Sequence, residues 1–425
     1  MLEKLLRTIE ALVPKRIYRF FQPAYHFLLA LLGALRFGFP SRNIIVIFVT
    51  GTKGKTSTTE ILNSILEASG ATTAVLGTLR FKIAAKNTRN LRKMTIPGRF
   101  FVQKFLRDAV DAGCTHAIIE MTSEGAKQFR HYFIAADALI FTNLAPEHIE
   151  SHGSYEAYRD AKLSIARALG KYGKGKRLMV ANTDDKEGTL FLETLGVTPI
   201  PYSRKDGEPM TITERHITLT FRGKVLTSEL GGLFNAYNIL GAATCAEALG
   251  IPLEAITRGV AENKIIAGRM EYIEEGQSFP VVVDYAHTPD SLEAIYQTFA
   301  GHDNICVLGN TGGGRDKWKR PVMGALAEKY CNAIILTNED PYDEDPEQIC
   351  KEIQSGMNTA NPEIILDRSK AIARALSIAR ATANAAVLIT GKGTDPFIMG
   401  PNGSKQKWDD RDVAREELKK VIAGN

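Results

Sequence analysis

The sequence predicts an α/β protein: a central parallel sheet clad in helices, a C-terminal doubly wound sheet, and a short helical arm ahead of both. Three observations predict it. Apolar β-branched runs alternate with helical patterns from Asn43 to the end, as expected of strands buried on both faces and joined by crossover helices. The alternation is interrupted where Ile217–Phe221 and Val225–Leu230 flank Arg222-Gly223-Lys224, then resumes as a second series after about Ala267. Residues 1–42 hold seven Lys or Arg against two Glu, so this segment alone carries the +5 of the whole chain. The divisions follow: a basic, apolar helical arm over 1–43, a central domain over 44–266 and a C-terminal, Rossmann-like domain over 267–425.

In the arm, Leu2, Leu5, Leu6, Ile9, Leu12 and Val13 recur at helical spacing, and Phe27–Leu35 is an unbroken apolar run of nine. Spanning a bilayer takes about 20 residues, so the run is too short. A signal peptide fits poorly, because the charged lead is long and no small-residue cleavage site follows. Two readings stay open: a basic amphipathic helix lying on an anionic membrane surface, or an arm packed on the body or on a partner subunit. The rest of the chain is electrically balanced, which gives no basic face for nucleic acid. A composition of 44% hydrophobic and 24% charged residues is that of a soluble globular enzyme. Five cysteines without metal spacing, mostly in apolar runs, read as buried free thiols in a reducing compartment.

The central domain carries the most specific motif. The run Ile44–Thr50 reads as a strand, and Glu60–Leu66 lies in a helical pattern. Between them stand Gly51, Thr52, Lys53, Gly54, Lys55, Thr56 and Ser57. Strand, glycine turn, lysine, hydroxyls and helix build a phosphate cradle, the arrangement of a P-loop ATPase domain. The glycines let the backbone pass close to phosphate, and N–H groups at the helix start face the anion. Lys55 supplies charge to the outer phosphates and Thr56 is placed for Mg²⁺. Further strands are read at Thr73–Gly77, Ala117–Met121, Ala138–Asn143 and Leu178–Asn182, with the hairpin at residues 217–230 added to the sheet, followed by a helix over Leu233–Leu249.

Glu120 ends one of these strands, where it reads as a Mg²⁺ ligand or as a strand-end cap. After the next strand, Glu147, His148, Glu150 and His152 fall within six residues and suggest a second divalent-ion site. In the second series the strands are Val281–Tyr285, Ile305–Gly309, Ala333–Thr337, Ile364–Leu366 and Ala386–Gly391. Asp284, Asn310, Asn338 and Lys392 stand at their carboxyl ends, where such sheets bind ligands.

Taken in order, these segments resemble the Mur ligase family of ATP-dependent peptide-bond-forming enzymes. The resemblance is carried by the phosphate loop, Glu120, Asn143…Glu147-His148, Tyr155–Lys162, Asn235-Ala236-Tyr237-Asn238, Gly268-Arg269-Met270-Glu271 and Asp284-Tyr285-Ala286-His287-Thr288-Pro289. Gly312–Pro321 and Gly391-Lys392-Gly393 bring it nearest to the tripeptide synthetases, which add the third amino acid of the peptidoglycan stem. The resemblance implies that ATP converts a peptide carboxylate to an acyl phosphate, which an amine then attacks. It implies two Mg²⁺ ions held by Thr56, Glu120, His148 and a carbamylated Lys162. Lys55, with Arg315 or Lys319, would neutralise the transferring phosphoryl group. Asn235 and Asn238 are expected on the adenine side, and Arg269, Asp284 and Lys319 on the ribose and phosphates. His287 is either a direct participant or a structural residue of its turn. Expected substrate contacts are Thr95, Pro97, Thr122, Ser123, Arg130, Asp340, Tyr342, Lys392 and Asp395.

The departures from the family pattern concern the substrates. Residues 1–43 stand where the family holds the UDP end of its acceptor, which leaves weak UDP binding or a lipid-linked acceptor as expectations. Asn338-Glu339-Asp340-Pro341-Tyr342 replaces Asp-Asn-Pro-Arg, so Tyr342 stands where an arginine would pair with the distal carboxylate of diaminopimelate. Asp343-Glu344-Asp345 suits an incoming amine such as lysine or ornithine, or is a solvated loop. Gly391-Lys392-Gly393-Thr394-Asp395 replaces Gly-Lys-Gly-His-Glu, Thr122-Ser123-Glu124 replaces Ser-Ser-His, and Thr95-Ile96-Pro97 replaces Thr-Thr-Pro. The expectation is a cytoplasmic ligase of cell-wall precursors, with peripheral membrane contact through residues 1–42 held open, adding an amino acid other than diaminopimelate. Two alternatives stand beside it: the same chemistry on a lipid-linked, polyglutamyl or cyanophycin-like acceptor, and a membrane-docked nucleotide-binding subunit without catalysis.

Overall fold

Residues 15–147 and 149–423 are described in the computed structural model, with the backbone alone for 15–20. The apolar positions between Leu2 and Val13 and the expected metal ligand His148 lie outside the described residues. The arm's described part is one helix, α1 (Lys15–Arg36), packed on α3 (Arg99–Asp111).

The central sheet has eight strands: β1 (Ile45–Thr50), β2 (Thr73–Leu76), β3 (Arg80–Ile83), β4 (Lys86–Arg89), β5 (His116–Glu120), β6 (Ala138–Phe141), β7 (Leu178–Asn182) and β8 (Thr198–Tyr202). They lie in the order β4-β3-β2-β5-β1-β6-β7-β8, parallel from β2 to β8, with β3 and β4 antiparallel at one edge. Alternation along β1 splits the core into two. Val46 and Phe48 face α3 and α4 (Tyr155–Tyr172). Ile47 and Val49 face α2 (Lys55–Ala68) and α5 (Leu233–Ala248). The register matters for function. Val49 pairs with Glu120 and Thr50 with Phe141, so the carboxyl ends of β1, β5 and β6 finish side by side.

The hairpin predicted at 217–230 forms, as β10 (Ile217–Phe221) and β11 (Lys224–Ser228), but it does not extend the parallel sheet. It joins β9 (Met210–Ile212) in a separate three-stranded sheet. Its inward residues Leu219, Phe221 and Leu226 pack on the α5 side of the central core, beside α6 (Leu253–Glu262).

The C-terminal sheet has the order β12-β13-β17-β14-β15-β16, built from β12 (Glu271–Tyr272), β13 (Val281–Asp284), β14 (Asp303–Leu308), β15 (Ala333–Leu336), β16 (Glu363–Ile364) and β17 (Ala385–Thr390). All are parallel save β12. One face is covered by α7 (Pro289–Thr298), α8 (Lys319–Tyr330) and α9 (Pro346–Gln354), the other by α10 (Arg368–Arg380) and α11 (Asp410–Ala423). A buried Arg368–Asp410 pair at 2.7 Å ties α10 to α11. The expectation of five free thiols needs correction: Cys306 and Cys331 are joined in a disulfide, and only Cys114, Cys245 and Cys350 are free and buried. β14 and β15 are neighbours, which brings two cysteines 25 residues apart into contact, a pairing that spacing alone does not reveal.

Candidate active site

The site begins at the carboxyl edge of the central sheet. Backbone geometry after β1 requires glycine twice. Gly51 has φ +150° and an added Cβ would lie 1.9 Å from Thr142 Oγ1. Gly54 has φ +79° and its Cβ would lie 2.3 Å from Asn238 Oδ1. The loop is fixed from outside by the segment after β6: Thr52 N–H donates to Asn143 O (2.9 Å) and Lys53 N–H to Asn143 Oδ1 (3.0 Å). Thr56 Oγ1 donates to Glu120 Oε2 at 3.0 Å, and the other carboxylate oxygen accepts from Thr78 N–H at 2.8 Å. Two oxygen donors therefore converge at the start of α2, held by the β1–β5 register.

Cations crowd this loop. Lys55 Nζ donates to Gly51 O and Thr52 O, each at 2.9 Å. Lys162, from α4, is 2% exposed and donates to Gly51 O at 2.8 Å from behind. Burial, and next the charge of Lys55, holds the Lys162 amine well below the usual lysine range. Burial also lowers Lys53 and Lys55. Buried ammonium groups sharing one carbonyl are costly without a compensating anion. A glycine cradle with such a cation set fits a triphosphate, and Thr56 with Glu120 supplies oxygen ligands of the kind Mg²⁺ takes. Among the described residues no three His, Cys, Asp or Glu side chains form a ready-made metal cage.

The loop opens on a cleft of about 620 Å³ between the two domains. The central domain lines it with the phosphate loop from Thr52 to Ser57, Thr95, Thr122 and Asn238; the C-terminal domain adds Arg269, Asp284, Arg315, Lys319, Asp340, Tyr342 and Asp395. Sixteen of the residues expected from sequence thus meet in one cavity. Asp284 helps shape its wall, accepting from Met270 N–H and Ala286 N–H, both at 2.7 Å.

Other expected residues stand behind the wall. Asn235, expected on the adenine side, is buried and donates to Gly231 O, while its Oδ1 accepts from Asn238; it positions Asn238 and does not line the cleft. Arg130 donates to Ile96 O, in the loop that carries Thr95 and Pro97. Ser123 meets His152 Nε2 at 3.2 Å. Pro97 also lies off the lining. The acidic and histidine run after β6 disperses: Glu147 Oε1 accepts from His287 Nε2 (3.1 Å) while His152 turns to Ser123.

The acidic run 343–345 is already committed. Asp343 accepts from Asn402 N–H, Asp345 caps α9 by accepting from Glu347 N–H, and Glu344 binds Gly314 N–H, Lys317 and Arg320. Those contacts hold Glu344 near pKa 2 against the opposing effect of burial. The run is a structural brace, which removes the reason to expect a basic amino acid there. Beside it, Arg315 lies over the Tyr342 ring, 5.3 Å from its centroid.

Sequence reasoning missed Lys93. From the central domain it reaches Asp340 (2.8 Å) and Asp395 (3.1 Å), both of which also pair with buried Lys392 at 2.9 Å. Arg89–Asp409 (2.7 Å), His287–Glu147 (3.1 Å) and Lys53–Asp290 (3.4 Å) close the same seam. The basic run Arg89-Asn90-Leu91-Arg92-Lys93 was the available signal.

Fold and cleft define a class, a P-loop nucleotide enzyme whose second α/β domain faces the phosphate loop across a cleft. Comparisons with known proteins narrow it. The Mur ligase middle domain model matches residues 49–246, and the model of the Mur ligase glutamate ligase domain matches residues 268–393. The UDP-N-acetylmuramoyl-L-alanyl-D-glutamate--2,6-diaminopimelate ligase of Bacillus cereus is 33% identical over 92% of this chain and 81% of that protein. A UDP-N-acetylmuramyl-tripeptide synthetase of Roseiflexus is 35% identical over 93% and 82%. Among solved structures, a diaminopimelate ligase superposes with TM-score 0.60 at 28% identity, covering 89% of this chain and 79% of that one. A Mycobacterium tuberculosis folylpolyglutamate synthase gives TM-score 0.70 at 18% identity, covering 94% and 95%, a likeness of fold alone. The chain belongs to the Mur ligase family and is an ATP-dependent, ADP-forming ligase; the family works with ATP and Mg²⁺.

Proposed function

We propose that the protein joins an amino acid to the free carboxylate of a muramoyl-peptide precursor of the cell wall. One observation carries the reading: Lys162 is buried behind the phosphate loop with its amine on Gly51 O, where burial and the charge of Lys55 push its pKa down. A module that only bound nucleotide would have no use for a lysine buried behind the loop, whereas a lowered pKa favours the free amine, the form that CO₂ converts to a carbamate with release of a proton. The carbamate would turn a cation into an anion able to support a second Mg²⁺ beside the one held by Thr56 and Glu120. Bound Mg²⁺ would neutralise the phosphate oxygens. Lys55, Lys319 and Arg315 would then draw the acceptor carboxylate towards the γ-phosphate against charge repulsion. The carboxylate oxygen takes the phosphoryl group and ADP departs. The amine attacks the acyl carbon, and phosphate leaves as the C–N bond forms and the amine sheds its proton.

Diaminopimelate is the amino acid named for most of the relatives, and the Arg315 guanidinium, over the Tyr342 ring in the cleft, would pair with its distal carboxylate. Tyr342 itself favours a second reading, an amino acid without that carboxylate. The test is ADP release from UDP-muramoyl dipeptide across diaminopimelate, lysine, ornithine and neutral amino acids. Turnover with diaminopimelate supports the first reading, and turnover with another amino acid the second. ATP binding without turnover on any amine would overturn both.

A further inference from the structure

We infer that α1 is a docking helix for an anionic lipid surface. Its polarity is reversed relative to an ordinary surface helix. The small residues Ala30, Gly33 and Ala34 face inward, Gly33 lying against Phe100 and Gln103 of α3. The large ones face out: Phe21, Tyr25, Leu28, Leu32 and Leu35 are 60%, 47%, 52%, 44% and 56% exposed. Their spacing of four, three, four and three places them on one stripe, about 21 Å long at 1.5 Å per residue. No charged residue interrupts it between Phe21 and Leu35.

Charge selects the occupant. From Ala11 to Thr59 the chain has no acidic residue, and Lys15, Arg16, Arg19, Arg36 and Arg42 flank the stripe at both ends. A second copy of the helix would set like charges against like in either orientation. An anionic headgroup layer complements both ends while the stripe enters the acyl boundary. Arg36 and Arg42 lie over the Phe37 and Phe39 rings, 5.5 and 4.7 Å from their centroids, an aromatic–basic edge suited to that depth. No helix among the described residues is long and apolar enough to cross a membrane, so the helix lies along the surface. It packs on α3, which starts two residues after Pro97, so docking would bring the loop carrying Thr95 and Pro97 to the bilayer.

The test is flotation of the full chain with vesicles of phosphatidylcholine, alone or mixed with phosphatidylglycerol. The expected result is a floating band with the anionic vesicles only, weakened by salt. Leu28→Ser with Leu32→Ser should lose the band with melting temperature and ADP release unchanged. Arg36→Gln with Arg42→Gln should lower partitioning roughly thirtyfold, at about 1 kcal/mol per basic side chain. A chain that stays unbound, or binds neutral vesicles equally, would overturn the inference. So would a dimer in light scattering that the leucine changes dissolve, which would give the stripe to a second copy.

Discussion

Replacing Lys93 by methionine should loosen the closed cleft. The Lys93 ammonium is mostly covered, with a side-chain exposure of 18%, and lies 2.8 Å from Asp340 and 3.1 Å from Asp395 across the domain seam. Each contact is worth roughly 5 kcal/mol in Coulomb terms at an effective dielectric of about 20, before desolvation is subtracted. Lys392 remains paired to both carboxylates after the change, so the loss is that of a charge-assisted hydrogen bond, about 2 kcal/mol, not that of an isolated buried charge. That shifts the open–closed balance roughly thirtyfold. With the closed form as the reactive one, kcat/KM for ADP release should fall by about that factor, and solution scattering should show a larger radius of gyration without nucleotide. Lys104→Met is the control: it removes an exposed Lys104–Asp108 pair on α3 and should change neither readout. An unaltered kcat/KM together with an unaltered scattering profile in Lys93→Met would refute the clamp.

Three further outcomes follow from the site and the core. Lys162→Ala should lower turnover by on the order of a thousandfold while calorimetry finds ATP affinity little changed; formate or acetate should restore part of the rate, and an active Lys162→Ala protein would remove the carbamate from the mechanism. Gly54→Ala puts a methyl 2.3 Å from Asn238 Oδ1 at φ +79°, so ATP affinity should weaken by about 2 kcal/mol, read by titration calorimetry. His131 is fully buried, and burial drops its pKa from 6.5 to about 3. The unfolded chain therefore binds a proton that the folded chain does not: stability is complete above pH 6.5 and is lost as pH falls towards 3, by about 2 kcal/mol near pH 5. His131→Phe should flatten that part of the acid limb in denaturant melts, and equal limbs in both proteins would clear the imidazole of the effect.

The parallel sheets were legible because their strands are continuous apolar runs, and the phosphate loop because its glycines sit between such a strand and a helix. What escaped notice lies at edges and seams. β8 reads Thr-Pro-Ile-Pro-Tyr, and its prolines argue against a strand unless the strand is at an edge, which is where it lies. β4 is Lys-Asn-Thr-Arg, wholly exposed and without alternation to detect. Asn235 shares a helix with Asn238 but, three residues earlier, is turned into the core, a distinction that depends on where the C-terminal domain sits. The carboxylates of 343–345 looked available because an acidic run shows charge but not partners. Their partners, Asn402, Arg320 and Gly314, come from other loops and from α8.

The seam and the cleft are electrostatically opposed, and that opposition has a use. Closure brings Lys53, Lys55, Arg269, Arg315 and Lys319 around one cavity, and their mutual repulsion works against it. The ion pairs of Lys93 and Arg89 and the His287–Glu147 hydrogen bond at the rim work for it. Without an anion the two contributions oppose each other, so the closed form is held by the rim and strained at the centre. A bound triphosphate reverses the central contribution and leaves the rim unchanged. Closure and nucleotide binding must then favour each other by the same free energy, whichever comes first. The rim acids Asp340 and Asp395 also line the cleft beside Tyr342, so the residues that latch the domains are neighbours of the amino-acid pocket proposed there. Under that proposal, filling the pocket and closing the latch favour each other.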